Sequence, residues 1–191
     1  PINLGIARDN EDSLRSVFEG ALGADMLVTL GGASVGDYDL VRKVLNNEGI
    51  DLSFYKVAMR PGKPLIFGHL GKMPVLGLPG NPVSAGVTSI IFLKAAMSVM
   101  LGLDNDSNAP SMALLGCKLE ANDFRQDYLR SSLTTNANGN LVATPFERQD
   151  SSMMERFAKA DCLVVRNPEA PAASKGDTVE IVLFGSYLSL F

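Results

Sequence analysis

The chain changes character near its middle, and that change limits the folds open to it. Up to residue 102, segments with apolar residues at helical spacing alternate with short apolar runs that suit buried strands. Such alternation specifies a parallel α/β sheet with helices on both faces. After the polar stretch "LDNDSNAP" (103–110), short β-prone runs dominate and only "SSMMERFAKA" (151–160) has helical character. The second part therefore predicts a small β-sandwich or barrel. The expected organisation is an α/β domain over 1–103 and a β-rich domain over 110–191.

Within the first part, Ile2 to Ala7 reads as a buried strand. Leu14, Val17, Phe18 and Ala21 mark a helix over 12–21, and "DMLVTL" (25–30) suits a strand buried on both faces. A helix is expected over 38–49 with Gly49 as its stop, and a strand over 53–59. Residues 65–68 and 74–78 read as a hairpin with His69 in its turn, on the surface. A long apolar helix spans 81–102, with Asn81 placed to cap it and Pro82 at its first position. In the second part, "NANGN" carries the hairpin signal Asn138-Gly139. Met97, Met100, Met153 and Met154 are expected in packing roles, Cys117 and Cys162 as small apolar strand residues, and Arg125 and Arg130 on the surface.

Composition excludes several roles. A net charge of −4 disfavours a general binder of nucleic acid or of anionic membranes. Cys117 and Cys162 follow no metal or redox spacing, which favours reduced thiols in a cytoplasmic protein. A single histidine cannot anchor a multi-histidine metal site. No uninterrupted apolar run reaches the roughly 18 residues of a membrane span, and no signal peptide is visible. The opening "PINLGIARD" lacks an initiator Met, so the chain is expected to be a fragment.

Four loops fall at the carboxyl edge of the expected sheet, where open α/β sheets bind ligands. They are Arg8-Asp9, "GGASVGDYD" (31–39), "RPGKP" (60–64) and "GLPGNPVS" (77–84). Gly31, Gly32 and Gly36 permit sharp turns and close approach to backbone N–H groups, and Ser34 adds a hydroxyl. Pro79, Gly80, Asn81, Pro82 and Ser84 repeat the arrangement at a second helix start. Lys56, Arg60 and Lys63 add cations suited to phosphate or another oxyanion. Asp37 and Asp39 would repel such a ligand unless a cation lay between. A hard ion such as Mg²⁺, held by Asp39 and Asp9 with phosphate oxygens, resolves the conflict. Plain structural readings stand beside these: Asp37, Asp39 and Asp9 as helix caps, Asn81-Pro82 as an ordinary helix start, and the cations as solvated surface charge. Residue types leave a glycine-rich α/β ligand site and do not name its ligand.

The ordered set "GIARD", "GGASVGDYD", "KVAMRPGKP" and "GLPGNPVSA" resembles molybdopterin molybdenumtransferase, related to the E domain of gephyrin. The match runs from about residue 4 through 102, and "DYLRSSL" and "KGDTVEIVLF" in the tail fit more weakly. The resemblance implies a three-layer molybdopterin-binding domain, lacking its first strand and helix, followed by the family's β domain. It implies that adenylylated molybdopterin and molybdate give molybdenum cofactor and AMP with Mg²⁺ or a similar ion, in a homodimer formed through the parent protein. An adenylyltransferase would supply the substrate. By the same resemblance Asp9, Asp39, Lys56, Arg60 and Lys63 take catalytic positions, with Asp39 and Asp9 at the metal. Gly31, Gly32, Ser34, Gly36, Asp37 and the 79–84 turn take substrate-binding ones. Arg60 stands where a lysine is common, which alters how an oxyanion is held. Because the family's preceding segments are absent, the fragment alone is expected to turn over little. Two rivals share features of this reading. They are a single-domain molybdopterin adenylyltransferase, which would lack the β tail, and a gephyrin-like scaffold module that binds peptides.

Overall fold

The computed structural model describes residues 1–31, 49–103 and 111–184. The chain divides into two compact units: Pro1–Val57 with Gly62–Asn81, and Ala58–Pro61 with Pro82–Phe191.

The first unit opens without a strand. Residues 1–8 pair with nothing in the described sheet; Ile2 is 84% and Ile6 96% exposed, correcting the expected buried strand. Only Leu4 packs inward from this segment. Helix α1 (Glu11–Gly20) follows, and Asn10 caps it by accepting the Ser13 N–H at 2.9 Å. Its apolar stripe buries Phe18, which with Ala21, Leu27, Ile50, Ile66 and Val75 forms the unit's core. Burying a side chain of this size contributes roughly 1.5–3 kcal/mol.

The sheet of this unit contains β1 (Leu27–Leu30), β2 (Ile50–Tyr55), β4 (Ile66–Leu70) and β5 (Met73–Leu78), in the order β1-β5-β4-β2. Only β1 and β5 run parallel; β4 is antiparallel to both its neighbours, so the described sheet is mixed rather than wholly parallel. The reason is the β4–β5 hairpin, which turns at Gly71 with φ of +59° and needs no helical crossover. His69 lies in strand β4 rather than in the turn, edge-on to the Phe67 ring at 5.2 Å. Strand β1 is not buried on both faces: Leu27 is inside, while Leu30 is 74% exposed. The expected helix over 38–49 lies outside the described residues except for Gly49, whose φ of +77° suits the stop assigned to it.

The second unit begins on the chain with β3 (Met59–Arg60) and resumes with α2 (Pro82–Met100), which starts at Pro82 as expected. A π-helical turn over Ser89–Leu93 interrupts α2. This 19-residue helix has a mean hydropathy of 1.7 and is long and apolar enough to cross a membrane by those measures, with Lys94 in its middle. Buried Thr88 donates its hydroxyl to the Ser84 carbonyl at 2.8 Å. Met97 and Met100 are about half exposed, as is Met154, which corrects the packing role expected of them.

The β domain comprises β6 (Ser111–Leu115), β7 (Gln126–Thr135), β8 (Leu141–Pro145), β9 (Cys162–Arg166) and β10 (Thr178–Leu183), with helix α3 (Met154–Ala158) between β8 and β9. The order β3-β7-β8-β6-β10-β9 closes on itself because β7 also pairs with β9. The ten-residue β7 makes this possible: Asp127–Ser131 pair with β9 and Ser131–Thr135 with β8. A closed barrel leaves few open edges, and its interior holds Ala113, Leu115, Ala143, Cys162, Val164, Val179 and Ile181. The β7–β8 turn falls at Asn136–Asn140, where the Asn136 Oδ1 accepts the N–H groups of Asn138 and Asn140, each at 3.0 Å. Cys117 lies in a bend after β6 rather than in a strand. Arg130 is fully buried, not on the surface. Its Nε donates to the Gln149 side chain at 3.2 Å and its Nη1 to the Asp150 carbonyl at 2.9 Å, which ties the 146–150 segment to β7.

Candidate functional site

Strand register gathers several of the candidate residues along one sheet edge of the first unit. Thr29 lies beside Gly77, Gly77 beside Ile66, and Ile66 beside Tyr55, forming a row across all four strands. Beyond it come Gly31 after β1, Pro79–Asn81 after β5, Lys56 after β2, and Lys63–Leu65 leading into β4. Of the loops singled out in the sequence, Gly31 and Pro79–Asn81 thus lie just beyond the carboxyl ends of β1 and β5, while Lys63 lies ahead of the amino end of β4.

At this edge the backbones come close. Gly31 has φ of +86°, donates its N–H to the Leu78 carbonyl at 3.0 Å, and approaches Gly80 so nearly that a Cβ built on Gly80 would lie 3.4 Å from the Gly31 Cα. A Cβ there would make ordinary van der Waals contact, so it is the positive φ of Gly31 that favours glycine. The basic loop is pinned by its backbone: Lys56 N–H donates to the Leu65 carbonyl at 3.0 Å and Val57 N–H to the Lys63 carbonyl at 3.1 Å. Lys56 itself adopts φ of +64°, a left-handed conformation that disfavours a side chain. Its ammonium lies 4.6 Å from the centre of the Tyr55 ring.

Arg60 belongs to the second unit, as part of β3, in register with Asp127 of β7. Its Nη2 donates to Asp127 Oδ2, and its Nη1 lies 3.6 Å from Asp123 Oδ2. The Arg60 side chain is 48% exposed and that of Asp127 only 6%. Arg125 claims Asp123 more closely, through Nη2 at 2.5 Å and Nε at 3.2 Å. That hydrogen bond from the Arg125 side chain, aided by the Arg125 backbone N–H, holds the Asp123 carboxyl down to about 2. Pro82 and Ser84 open helix α2, with Ser84 buried.

Asp9 sits exposed just before α1 and does not cap it, since Asn10 does. Gly32, Ser34, Gly36, Asp37 and Asp39 lie outside the described residues. Among the described residues no three His, Cys, Asp or Glu side chains gather as a metal site. A lone exposed carboxylate such as Asp9 suits Mg²⁺ completed by waters and phosphate oxygens, not a protein-built cage. The acids that hold Arg60 escaped the sequence reading. The string "DFRQD" (123–127) displays both, but only the pairing of β3 with β7 shows which cation they serve.

Fold and site together define a class: an α/β unit with glycine turns gathered at strand ends, followed by a closed β-barrel domain. Comparison with known proteins makes this particular. Residues 1–98 match the family model described as a probable molybdopterin binding domain, and residues 112–184 match the MoeA C-terminal region, domain IV. The chain belongs to the molybdopterin-binding family, joined to a MoeA C-terminal domain, as the resemblance in its motifs implied. It is 34% identical to the molybdopterin molybdenumtransferase of Haemophilus influenzae over 98% of this chain and 46% of that protein. Against the protein of the same name from Bacillus subtilis it is 31% identical, over 96% of this chain and 43% of the relative. The crystal structure of a molybdopterin biosynthesis MoeA protein from Pyrococcus horikosii superposes with a TM-score of 0.77 at 28% identity, covering 96% of this chain and 44% of that one. The chain therefore spans less than half the length of the curated relatives it matches.

Proposed function

We propose that the chain is part of a molybdopterin molybdenumtransferase, which converts adenylylated molybdopterin and molybdate to molybdenum cofactor and AMP. One observation carries this reading: the molybdopterin-binding match over 1–98 is continued by the MoeA C-terminal match over 112–184, and relatives bearing that name align with 98% and 96% of the chain across both. The glycine turns at Gly31 and Pro79–Asn81 would let an anionic ligand approach the backbone, and Gly32, Ser34, Gly36 and Asp37 would extend that cradle. Pro82 and Ser84, at the start of α2, are proposed as substrate-binding residues as well. Lys56, Arg60 and Lys63 would neutralise substrate phosphates and molybdate.

Asp9 and Asp39 would hold Mg²⁺, which supplies positive charge between these acids and phosphate oxygens. Catalysis would belong to the full-length protein, acting in the cytoplasm as a homodimer and receiving its substrate from an adenylyltransferase. The domain division expected from the sequence, 1–103 and 110–191, fits the two matched regions and is proposed with it. The test is AMP release from adenylylated molybdopterin by the full-length protein, with and without molybdate, for wild type and Asp39→Asn. Molybdate-dependent release that Asp39→Asn lowers at least tenfold is expected. Release independent of molybdate overturns the reading, and an active Asp39→Asn removes Asp39 from it.

A further inference from the structure

We propose that Asp127 is a positioning residue that fixes the orientation of Arg60, so that the β domain sets the geometry of a cation supplied by the basic loop. This rests on the reading of Arg60 as an oxyanion contact, which is tested separately below.

The backbone places the two residues side by side, through the parallel pairing of Met59–Arg60 with Gln126–Asp127. Residues directly across a ladder present their side chains on the same face, so register alone brings acid and guanidinium together. Asp127 is nearly buried, and its one described hydrogen bond is the charged one from Arg60 Nη2. Its other oxygen, Oδ1, is buried without a partner among the described residues. Arg166 lies across from Asp127 on β9 but spends its Nη2 on the carbonyls of Pro171 and Glu120. Asp123 is the weaker tether, since Arg125 holds it at shorter range.

Asp127 is thus a fixed acceptor serving one cation. An exposed ion pair would be screened and entropically loose, whereas a pair whose acid is desolvated holds its partner in one place. A guanidinium carries five N–H donors in one plane. Among the described residues Asp127 engages only Nη2, so the anchored plane keeps further donors for a second, planar contact with an oxyanion. A lysine at this position would have neither property.

Side-chain ¹⁵N relaxation at the Arg60 Nε decides the matter in the full-length protein, with the signal assigned by its loss in Arg60→Lys. In wild type, Arg60 is expected to be as ordered as the backbone of β3. In Asp127→Asn, which keeps the shape, it should fall to the order of a free surface arginine. Asp127→Glu, which keeps the charge, should restore part of it and serves as the second variant if Asp127→Asn folds poorly. Undiminished order of Arg60 in Asp127→Asn, or in a folded Asp127→Ala if neither of the others folds, overturns the proposal. Kinetics of AMP release then test the reading beneath it. Asp127→Asn should raise the KM for molybdate about tenfold with little change in kcat, an effect of about 1.4 kcal/mol. It should add nothing to Arg60→Met. If Arg60→Met leaves the KM for molybdate unchanged, Arg60 is not the oxyanion contact, and the relaxation result still decides whether Asp127 positions it.

Discussion

Gly68 in β4 faces the carbonyl of Asp51 in β2 so closely that a Cβ built on the glycine would stand 2.5 Å from that oxygen and 3.1 Å from the Leu52 Cα. The obstacle is backbone and cannot rotate away. It lies beside the register shift between Leu52 and Phe54 in the pairing of β2 with β4. Gly68→Ala should therefore lower stability by about 1–3 kcal/mol, read as a shift in the urea midpoint. A midpoint equal to wild type would mean that β2 moves aside at little cost.

Helix α1 separates two adjacent polar residues by role. Asn10 accepts the Ser13 N–H, and Asp9 makes no such cap. Asn10→Ala should cost about 1 kcal/mol of stability. Asp9→Asn should leave stability within about 0.5 kcal/mol yet reduce AMP release if Asp9 serves the metal. Equal thermal shifts for both variants would return Asp9 to a structural role.

Lys56 holds φ of +64°, where glycine is at ease and alanine is not. Lys56→Gly should exceed Lys56→Ala in stability by about 1 kcal/mol. Both remove the same charge and should depress molybdate-dependent turnover alike. Parallel denaturation curves and activity assays of the two variants separate backbone strain from charge. Should Lys56→Ala prove the more stable, the left-handed conformation is not the native one.

The two thiols should react very differently. Burial pushes the Cys162 thiol up to about 12, so almost no thiolate exists at neutral pH. Cys117 is half-buried in a bend. Alkylation at pH 8 followed by peptide mass mapping should label Cys117 first and Cys162 only with unfolding. Rapid labelling of Cys162 under native conditions would contradict the closed barrel.

Acid should reveal the Asp123–Arg125 pair. The folded-state value of Asp123 lies near 2, below its ordinary 3.8. Its stabilising contribution is therefore complete above about pH 4 and is lost as pH falls through 2. Asp123→Asn should flatten the fall of the urea midpoint between pH 4 and pH 2, because no proton is taken up there on unfolding. An unchanged slope would show that this surface pair does not persist in solution.

What the sequence alone determined is whatever depends on local spacing or on a short fixed motif. The apolar stripe of α1, Pro82 at the start of α2, the β4–β5 hairpin, the Asn138-Gly139 turn and the change to β structure after 110 are all set by neighbours in the chain. The ordered glycine, lysine and proline motifs were equally plain, and with them the family. What only the tertiary structure decided depends on partners distant in the chain. Residues 1–8 have strand composition but no described partner to pair with, and a strand without a partner is not formed. The antiparallel pairing of β2 with β4 is a matter of register and topology, not of composition. Arg130 reads as a surface charge until the 146–150 segment folds over it and supplies acceptors. Arg60 and Asp127 stand 67 residues apart, and only the barrel's choice of β3 as the neighbour of β7 gives the cation its acid.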